Sequence, residues 1–190
     1  PAADLALDGR HGWLSTDGSA AEMLDLETGA RRATTLADLA AEGCSVQEDN
    51  VDAVKRAPIV IVAVEPKQLD ALLREIGPHL DPARHMLVSV VSGAGIDDIL
   101  RVVGKTVPVV RAMPNTAIAV RQSMTCLAAR AGDPEVLKTA ISLFDTVGTT
   151  MVIGEEHMVP ATALCACGIA FFLRAVRAAS QGGIEIGFHP

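Results

Sequence analysis

The run Ile59-Val60-Ile61-Val62-Ala63-Val64 constrains the fold more than any other stretch of the chain. Five of its six residues are β-branched, and it is apolar at odd and even positions alike. The strand it forms must therefore be covered on both faces, and the chain must supply helices for two layers. The sequence around it does so. Pro58 opens the run and Pro66 closes it, and Leu69, Leu72, Leu73 and Ile76 follow at helical spacing. Met86 to Val91 reads as a second buried strand, followed by Ser92-Gly93, and Ile96, Ile99, Leu100 and Val103 as a short helix. Val107 to Val110 predicts a third strand, Met124 to Ala129 a fourth and Thr149 to Ile153 a fifth. A helix opening at Asp133-Pro134 carries Val136, Leu137, Ala140, Ile141 and Phe144. Strand and helix in alternation predict a doubly wound α/β fold with a parallel sheet.

The flanks are less regular. Upstream, Asp49 or Asn50 is placed to cap a helix over Val51 to Arg56. Thr35 is placed to cap another, with Leu36, Leu39 and Ala40 on its apolar side and Gly43 at its end; Cys44-Ser45-Val46 reads as extended. Residues 1–29, with Asp8-Gly9, His11-Gly12-Trp13 and Asp17-Gly18-Ser19, sustain neither period. Beyond Ile153 the pattern is helical; Gly168 is expected to interrupt it, and Phe171, Phe172, Ala175, Val176 and Ala179 mark a second face. The uncharged run from Met158 to Leu173 contains Pro160 and Gly168 and stops short of the roughly 20 residues a spanning helix needs. It predicts no membrane segment but a buried helix at a subunit interface. Glu155-Glu156 suits a helix start, where the dipole favours acidic side chains.

Composition narrows the function classes. Of 190 residues, 49% are hydrophobic and 21% charged, enough to bury a core. A net charge of −7 without any Lys/Arg cluster excludes a nucleic-acid groove. Cys44, Cys126, Cys165 and Cys167 form no C-x-x-C pair and no metal-ligand spacing, so they read as small buried residues of a reducing cytoplasm. The histidines have no context for a Ser-His-Asp set.

In an open parallel sheet, ligands bind at the carboxyl ends of the strands. That rule selects Glu65-Pro66-Lys67, Ser92-Gly93 and Met113-Pro114-Asn115-Thr116, which follow successive buried strands and should lie side by side. Asn115 offers a donor and an acceptor to a carboxamide or ribose, or serves as a turn residue and helix cap. Both readings stand. Gly93-Ala94-Gly95 lacks the third glycine of a dinucleotide fingerprint.

The segment Val109-Val110-Arg111-Ala112-Met113-Pro114-Asn115-Thr116 resembles the R-x-M-P-N-T-P segment of pyrroline-5-carboxylate reductases. Further matches follow in order: Glu48-Asp49-Asn50 resembles the family's D-N, Ala63-Val64-Glu65-Pro66 its A-V-K-P loop and Ser89-Val90-Val91-Ser92-Gly93 its S-x-A-A-G loop. Thr162-Ala163-Leu164-Cys165-Ala166-Cys167-Gly168-Ile169-Ala170 looks like the T-A-L-S-G-S-G-P-A start of the helical dimerisation domain, and Gln181 to Gly187 like the helix after it. The resemblance spans about residues 30–190. It implies a Rossmann-like NAD(P)-binding domain over 1–154, with 1–29 anomalous, then the start of an all-α dimerisation domain over 155–190. It implies reduction of 1-pyrroline-5-carboxylate to L-proline by NADPH or NADH in a cytoplasmic homodimer or larger oligomer, with no metal. By the same resemblance Asn50, Ala63, Val64, Glu65, Pro66, Val90, Val91, Ser92 and Asn115 line the cofactor.

Several positions depart from the pattern. Glu65 stands where the family has Lys, and Ala117 and Ile169 where it has Pro. Residues 1–29 contain no G-x-G-x-x-G and no apolar strand to precede it. A shifted reading frame would explain this: His-Gly-Trp encoded as CAT-GGG-TGG reads Met-Gly-Gly one base later, as the family's glycine loop often does. The family's S-P-G-G-T-T segment, which binds the substrate carboxylate, is expected beyond residue 190, so the chain alone is not expected to turn over. The alternative is an inactive fragment or pseudoenzyme that at most dimerises. A more distant imine or β-hydroxyacid reductase fits Met113-Pro114-Asn115-Thr116 and Cys165-Ala166-Cys167-Gly168 less well. Arg31-Arg32 lies in the neighbourhood where a 2′-phosphate would be read.

Overall fold

A computed structural model of the chain describes residues 11–15, 21–25, 31–34, 47, 49–130 and 134–189, the first three stretches as backbone strands. The helix expected after Thr35, the extended piece Cys44 to Val46 and Asp133 lie outside the described residues. Strands β1 (His11–Ser15), β2 (Ala21–Asp25) and β3 (Arg31–Thr34) pair antiparallel in the order β1-β2-β3. Two of these strands fall within residues 1–29, where the sequence sustains no period. The pairs Trp13↔Met23 and Met23↔Arg32 fix the register, and such a meander needs backbone pairing more than apolar alternation.

Among the described residues the main sheet has five strands in sequence order: β4 (Ile59–Val62), β5 (Met86–Ser89), β6 (Val109–Met113), β7 (Ser123–Ala129) and β8 (Gly148–Val152). Around it lie α1 (Asn50–Arg56), α2 (Pro66–Ile76), α3 (Ile96–Val103) and α4 (Pro134–Phe144). The Rossmann-like α/β architecture is the expected one. One pairing departs from an all-parallel sheet: β6 and β7 run antiparallel, with Met113 opposite Cys126, while the β4–β5, β5–β6 and β7–β8 pairs are parallel.

Alternation along the strands assigns the two faces. Val60, Val62, Leu87 and Val109 join Leu69, Leu72, Leu73 and Ile76 of α2 and Ile99 of α3 in one core. Met86, Val88, Val110, Ala112 and Leu127 pack against Ala140 and Phe144 of α4 in the other. The doubly covered strand that the β-branched run demanded is thus β4 and its neighbours. Each fully buried aliphatic side chain contributes about 1.5–3 kcal/mol. At α1, Asp49 is the cap: its carboxylate accepts from the N–H groups of Val51, at 2.8 Å, and Asp52. His85 is buried at the other end, where its Nδ1 meets the Asp81 N–H and its Nε2 lies 3.2 Å from the Val54 carbonyl.

The C-terminal part is helical from Glu155 onward. A 3₁₀ turn at Glu155–His157 leads into α5 (Met158–Ala161), a π-helical segment at Thr162–Cys167 and α6 (Gly168–Glu185). Met158 is fully buried against Met113, Cys126 and Ala128. One expectation is corrected here: Gly168, with φ −63° and ψ −32°, does not interrupt the helix but carries the π-helical segment straight into α6. The continuous stretch Glu155–Glu185 is, by length and composition alone, long and apolar enough to cross a membrane, and none of its most apolar window is buried within the chain. Leu164, Phe171, Phe172 and Val176 are all exposed.

Candidate functional site

Because β4, β5 and β6 are parallel neighbours, their carboxyl ends open side by side on one edge of the sheet. After β4 the chain passes through Ala63 and buried Val64 to exposed Glu65 and Pro66, the latter the first residue of α2. The Glu65 N–H is taken by Gln68 Oε1, and the Glu65 carboxylate pairs with Lys67 at 2.6 Å. After β5, the Val90 N–H extends the ladder to the Val62 carbonyl and the Val91 N–H reaches Ser89 Oγ. The chain then turns at exposed Ser92 and Gly93. Gly93 has φ +82°, a left-handed conformation that disfavours any Cβ, and among the described residues the space above it is open: an added Cβ would touch nothing within 4 Å.

After β6 comes Asn115, which is buried and bonded through both side-chain atoms. Its Oδ1 accepts from the Ala117 N–H at 3.0 Å, and its Nδ2 donates to the Cys165 carbonyl at 3.2 Å. Its backbone N–H donates to Ser123 Oγ. Asn115 therefore caps the 3₁₀ turn Thr116–Val120 and clamps the helical segment to the sheet. The capping alternative is what its side chain does here, with one N–H and one lone pair left over. The loops after β4, β5 and β6 come together as the sequence requires. Upstream of them, Asn50 Nδ2 donates to Glu75 Oε2 at 3.2 Å.

Sequence reasoning placed Glu155 at a helix start, as observed, but missed its pairing with Arg111. Arg111 lies in the middle of β6, 5% exposed, on the face covered by α2 and α3. Its Nη1 donates to Glu155 Oε1 at 2.9 Å. The same oxygen accepts from the N–H of Ile96, the first residue of α3, at 3.1 Å. Glu155 lies in the first turn of its own helical segment, as the sequence placed it, and serves the start of α3 as well. An arginine inside an otherwise apolar strand was the available signal, since a buried guanidinium requires an acidic partner. Nearby, Cys126 is buried, and that burial, followed by the neighbouring Cys165, pushes its thiol up from the ordinary value. Cys126 thus stays protonated near neutrality and acts in packing rather than as a nucleophile.

A mixed five-strand sheet flanked by helices, with a glycine turn at its open edge, defines a Rossmann-like fold. A family model described as NADP oxidoreductase, coenzyme F420-dependent, matches residues 16–93 and so begins inside the stretch whose pattern the sequence left unmatched. Pyrroline-5-carboxylate reductase 1 of Dictyostelium discoideum is 51% identical over 171 residues, 84% of this chain and 31% of the relative. Pyrroline-5-carboxylate reductase 2 of the same organism is 40% identical over 163 residues, 78% of this chain and 54% of the relative. Among solved structures, a pyrroline-5-carboxylate reductase from Coxiella burnetii has a TM-score of 0.74 at 26% identity, covering 80% of this chain and 57% of that one. Plasmodium falciparum pyrroline carboxylate reductase, solved with NADP bound, shares the fold with a TM-score of 0.68 at 24% identity, covering 75% of this chain and 54% of that one. The chain belongs to the pyrroline-5-carboxylate reductase family. It spans about a third to a half of the length of the curated relatives it matches.

Proposed function

We propose that this chain carries the nicotinamide-dinucleotide half of a pyrroline-5-carboxylate reductase, which reduces 1-pyrroline-5-carboxylate to L-proline with NADPH or NADH. The observation that carries the reading is the edge formed by the loops after β4, β5 and β6, with room above Gly93 for a ligand. The residues present fit such a group. Exposed Glu65, Pro66 and Ser92 border the opening, and Val64 and Val91 pack beneath it. The dinucleotide, when bound, supplies a hydride for the C=N carbon of the cyclic imine. The chain's own contribution is to orient the donor and keep water from its face, which converts encounter into a positioned reaction. Ser92 and the backbone of Ala63 to Glu65 supply polar contacts along the opening, and Asn115 fixes its far side. The pyrophosphate loop is the part of the site that residues 1–29 would have to supply. Sequencing the coding DNA tests the shifted-frame explanation, which needs a neighbouring frame that encodes a strand and G-x-G-x-x-G.

Binding is tested by thermal unfolding with and without NADPH. At a ligand concentration of 100 times Kd, native-state binding contributes about 2.7 kcal/mol, which for a chain of this size raises Tm by about 5–10 °C. An unchanged Tm at millimolar NADPH and NADH would sink the reading.

The reading extends to a homodimer or larger assembly in the cytoplasm. Leu164, Phe171, Phe172, Leu173 and Val176 are exposed along one helix, and clustered exposed apolar side chains mark interaction sites; free thiols at Cys126, Cys165 and Cys167 suit a reducing compartment. Sedimentation velocity is expected to show concentration-dependent dimers or larger species. A monodisperse monomer at high concentration would count against it.

A further inference from the structure

The face of the main sheet that carries α2 and α3 is completed by Met158, and Arg111 sits where those two covers meet. Its guanidinium is buried, so its charge must be balanced close by. Glu155 balances it with one oxygen, Oε1, which also takes the Ile96 N–H at 3.1 Å and lies 3.5 Å from where a Cβ on Gly95 would stand. The other oxygen is buried with no hydrogen-bond partner among the described residues. A carboxylate retained with one oxygen unsatisfied is held by what the first oxygen joins. It joins three parts of the chain: the first turn of the helical segment, the middle of β6 and the start of α3. The start of α3 is the anchor of the loop Ser92 to Gly95, since the Gly95 carbonyl accepts the Ile99 N–H at 3.0 Å and Gly95 is the residue before the helix. The negative charge also lies at the positive end of the α3 dipole.

We propose that Glu155 is a positioning residue for the Ser92–Gly95 loop, so that the helical segment, 59 residues away in sequence from Ile96, sets the geometry of the edge where the dinucleotide binds. The cofactor role of that loop rests on the function proposed above; the strut itself does not. Displacing the helical segment, as assembly or disassembly would, then alters dinucleotide affinity through this carboxylate.

The test is amide hydrogen exchange on the whole chain, together with NADPH titration, for Glu155→Asp, Glu155→Gln and Glu155→Ala. Asp keeps the charge but falls a methylene short of the two donors. In E155D and E155A the Ile96 amide is expected to exchange at least tenfold faster, while Leu87 and Val88 in β5 change by less than twofold. In E155Q, where Oε1 remains as an acceptor, Ile96 should stay within threefold of the parent. Should E155A fail to fold, E155D carries the comparison. An Ile96 amide that keeps its protection in E155D, or loses as much in E155Q, overturns the strut. NADPH affinity should fall at least fivefold in E155D with little change in E155Q. Unchanged affinity beside a loosened loop overturns the positioning role. A parent chain that binds no NADPH defeats the proposed function, and the exchange result still decides the strut.

Discussion

Gly148→Ala is expected to unfold most of the protein at temperatures where the parent is folded, seen as a loss of cooperative melting by circular dichroism. Gly148 opens β8 directly opposite Ser123, the first residue of β7. It has φ +156°, and a Cβ there would stand 2.5 Å from the Ser123 nitrogen and 2.8 Å from its carbonyl carbon, with the carbonyl oxygen nearer still. These are backbone atoms in a paired strand, so no side chain can swing aside. Overpacking of about 1–3 kcal/mol adds to about 1–3 kcal/mol for a residue with a Cβ in so sparsely populated a conformation. Together these come to about 2–6 kcal/mol, whose upper end equals the whole stability of a marginal domain. Gly104→Ala is the control. Gly104 ends α3 with φ +71° but has open space around it, so only the conformational cost of about 1–2 kcal/mol applies. Equal losses in the two variants would mean that the β7–β8 contact is not as tight as the structure has it. The damage in Gly148→Ala should also reach the site, because Ser123 Oγ accepts the Asn115 N–H at 3.2 Å and lies 3.1 Å from Thr125 Oγ1.

The parts of this fold that were legible in sequence are those whose cause is local. The apolar stripe Leu69, Leu72, Leu73 and Ile76 is buried as a set, because helical period and burial are one fact about neighbouring residues. The two-faced strands declare double cover in the same way. Strand direction is not in that pattern. Ser123–Ala129 reads the same whichever way it runs. Yet a direction signal was present: residues 114–122 make a connection shorter than the dozen or more residues a parallel crossover needs, and they turn through Arg121 at φ 55°. Asn115 could be placed on the right loop, but its bond to Cys165 spans 50 residues and no spacing announces it. Glu155 is the extreme case. A pair of acidic residues at a helix start has an adequate local explanation, so nothing in the sequence prompts a search for Arg111, 44 residues away. The first strands were illegible for the opposite reason: a short antiparallel meander can be held by backbone bonds whatever its side chains.

Apolar residues in this chain do not all contribute in the same way, and Leu87→Ala against Phe172→Ser separates the two cases. Leu87 is fully buried in β5 and stands in a cross-strand row between Val60 on one side and Val109 on the other. All three face the core under α2 and α3. Removing three heavy atoms from the middle of that row leaves a cavity that paired strands cannot close, at a cost of about 3 kcal/mol within the usual 2–5. Tm should then fall by about 6–12 °C. Phe172 is larger and more hydrophobic but largely exposed on α6, so Phe172→Ser should change the stability of the monomer by no more than about 0.5 kcal/mol. Its effect belongs to the concentration dependence: the mutant should need more protein to reach the same degree of association, and at low concentration its urea midpoint should match the parent's. If Phe172→Ser cost as much as Leu87→Ala in dilute solution, α6 would be packed within the single chain, and the exposed helix would no longer support an assembly surface. If Leu87→Ala left the midpoint in place, the row from Val60 to Val109 would not be the centre of the core, and the loop that ends at Ser92 would have lost the rigid strand that places it.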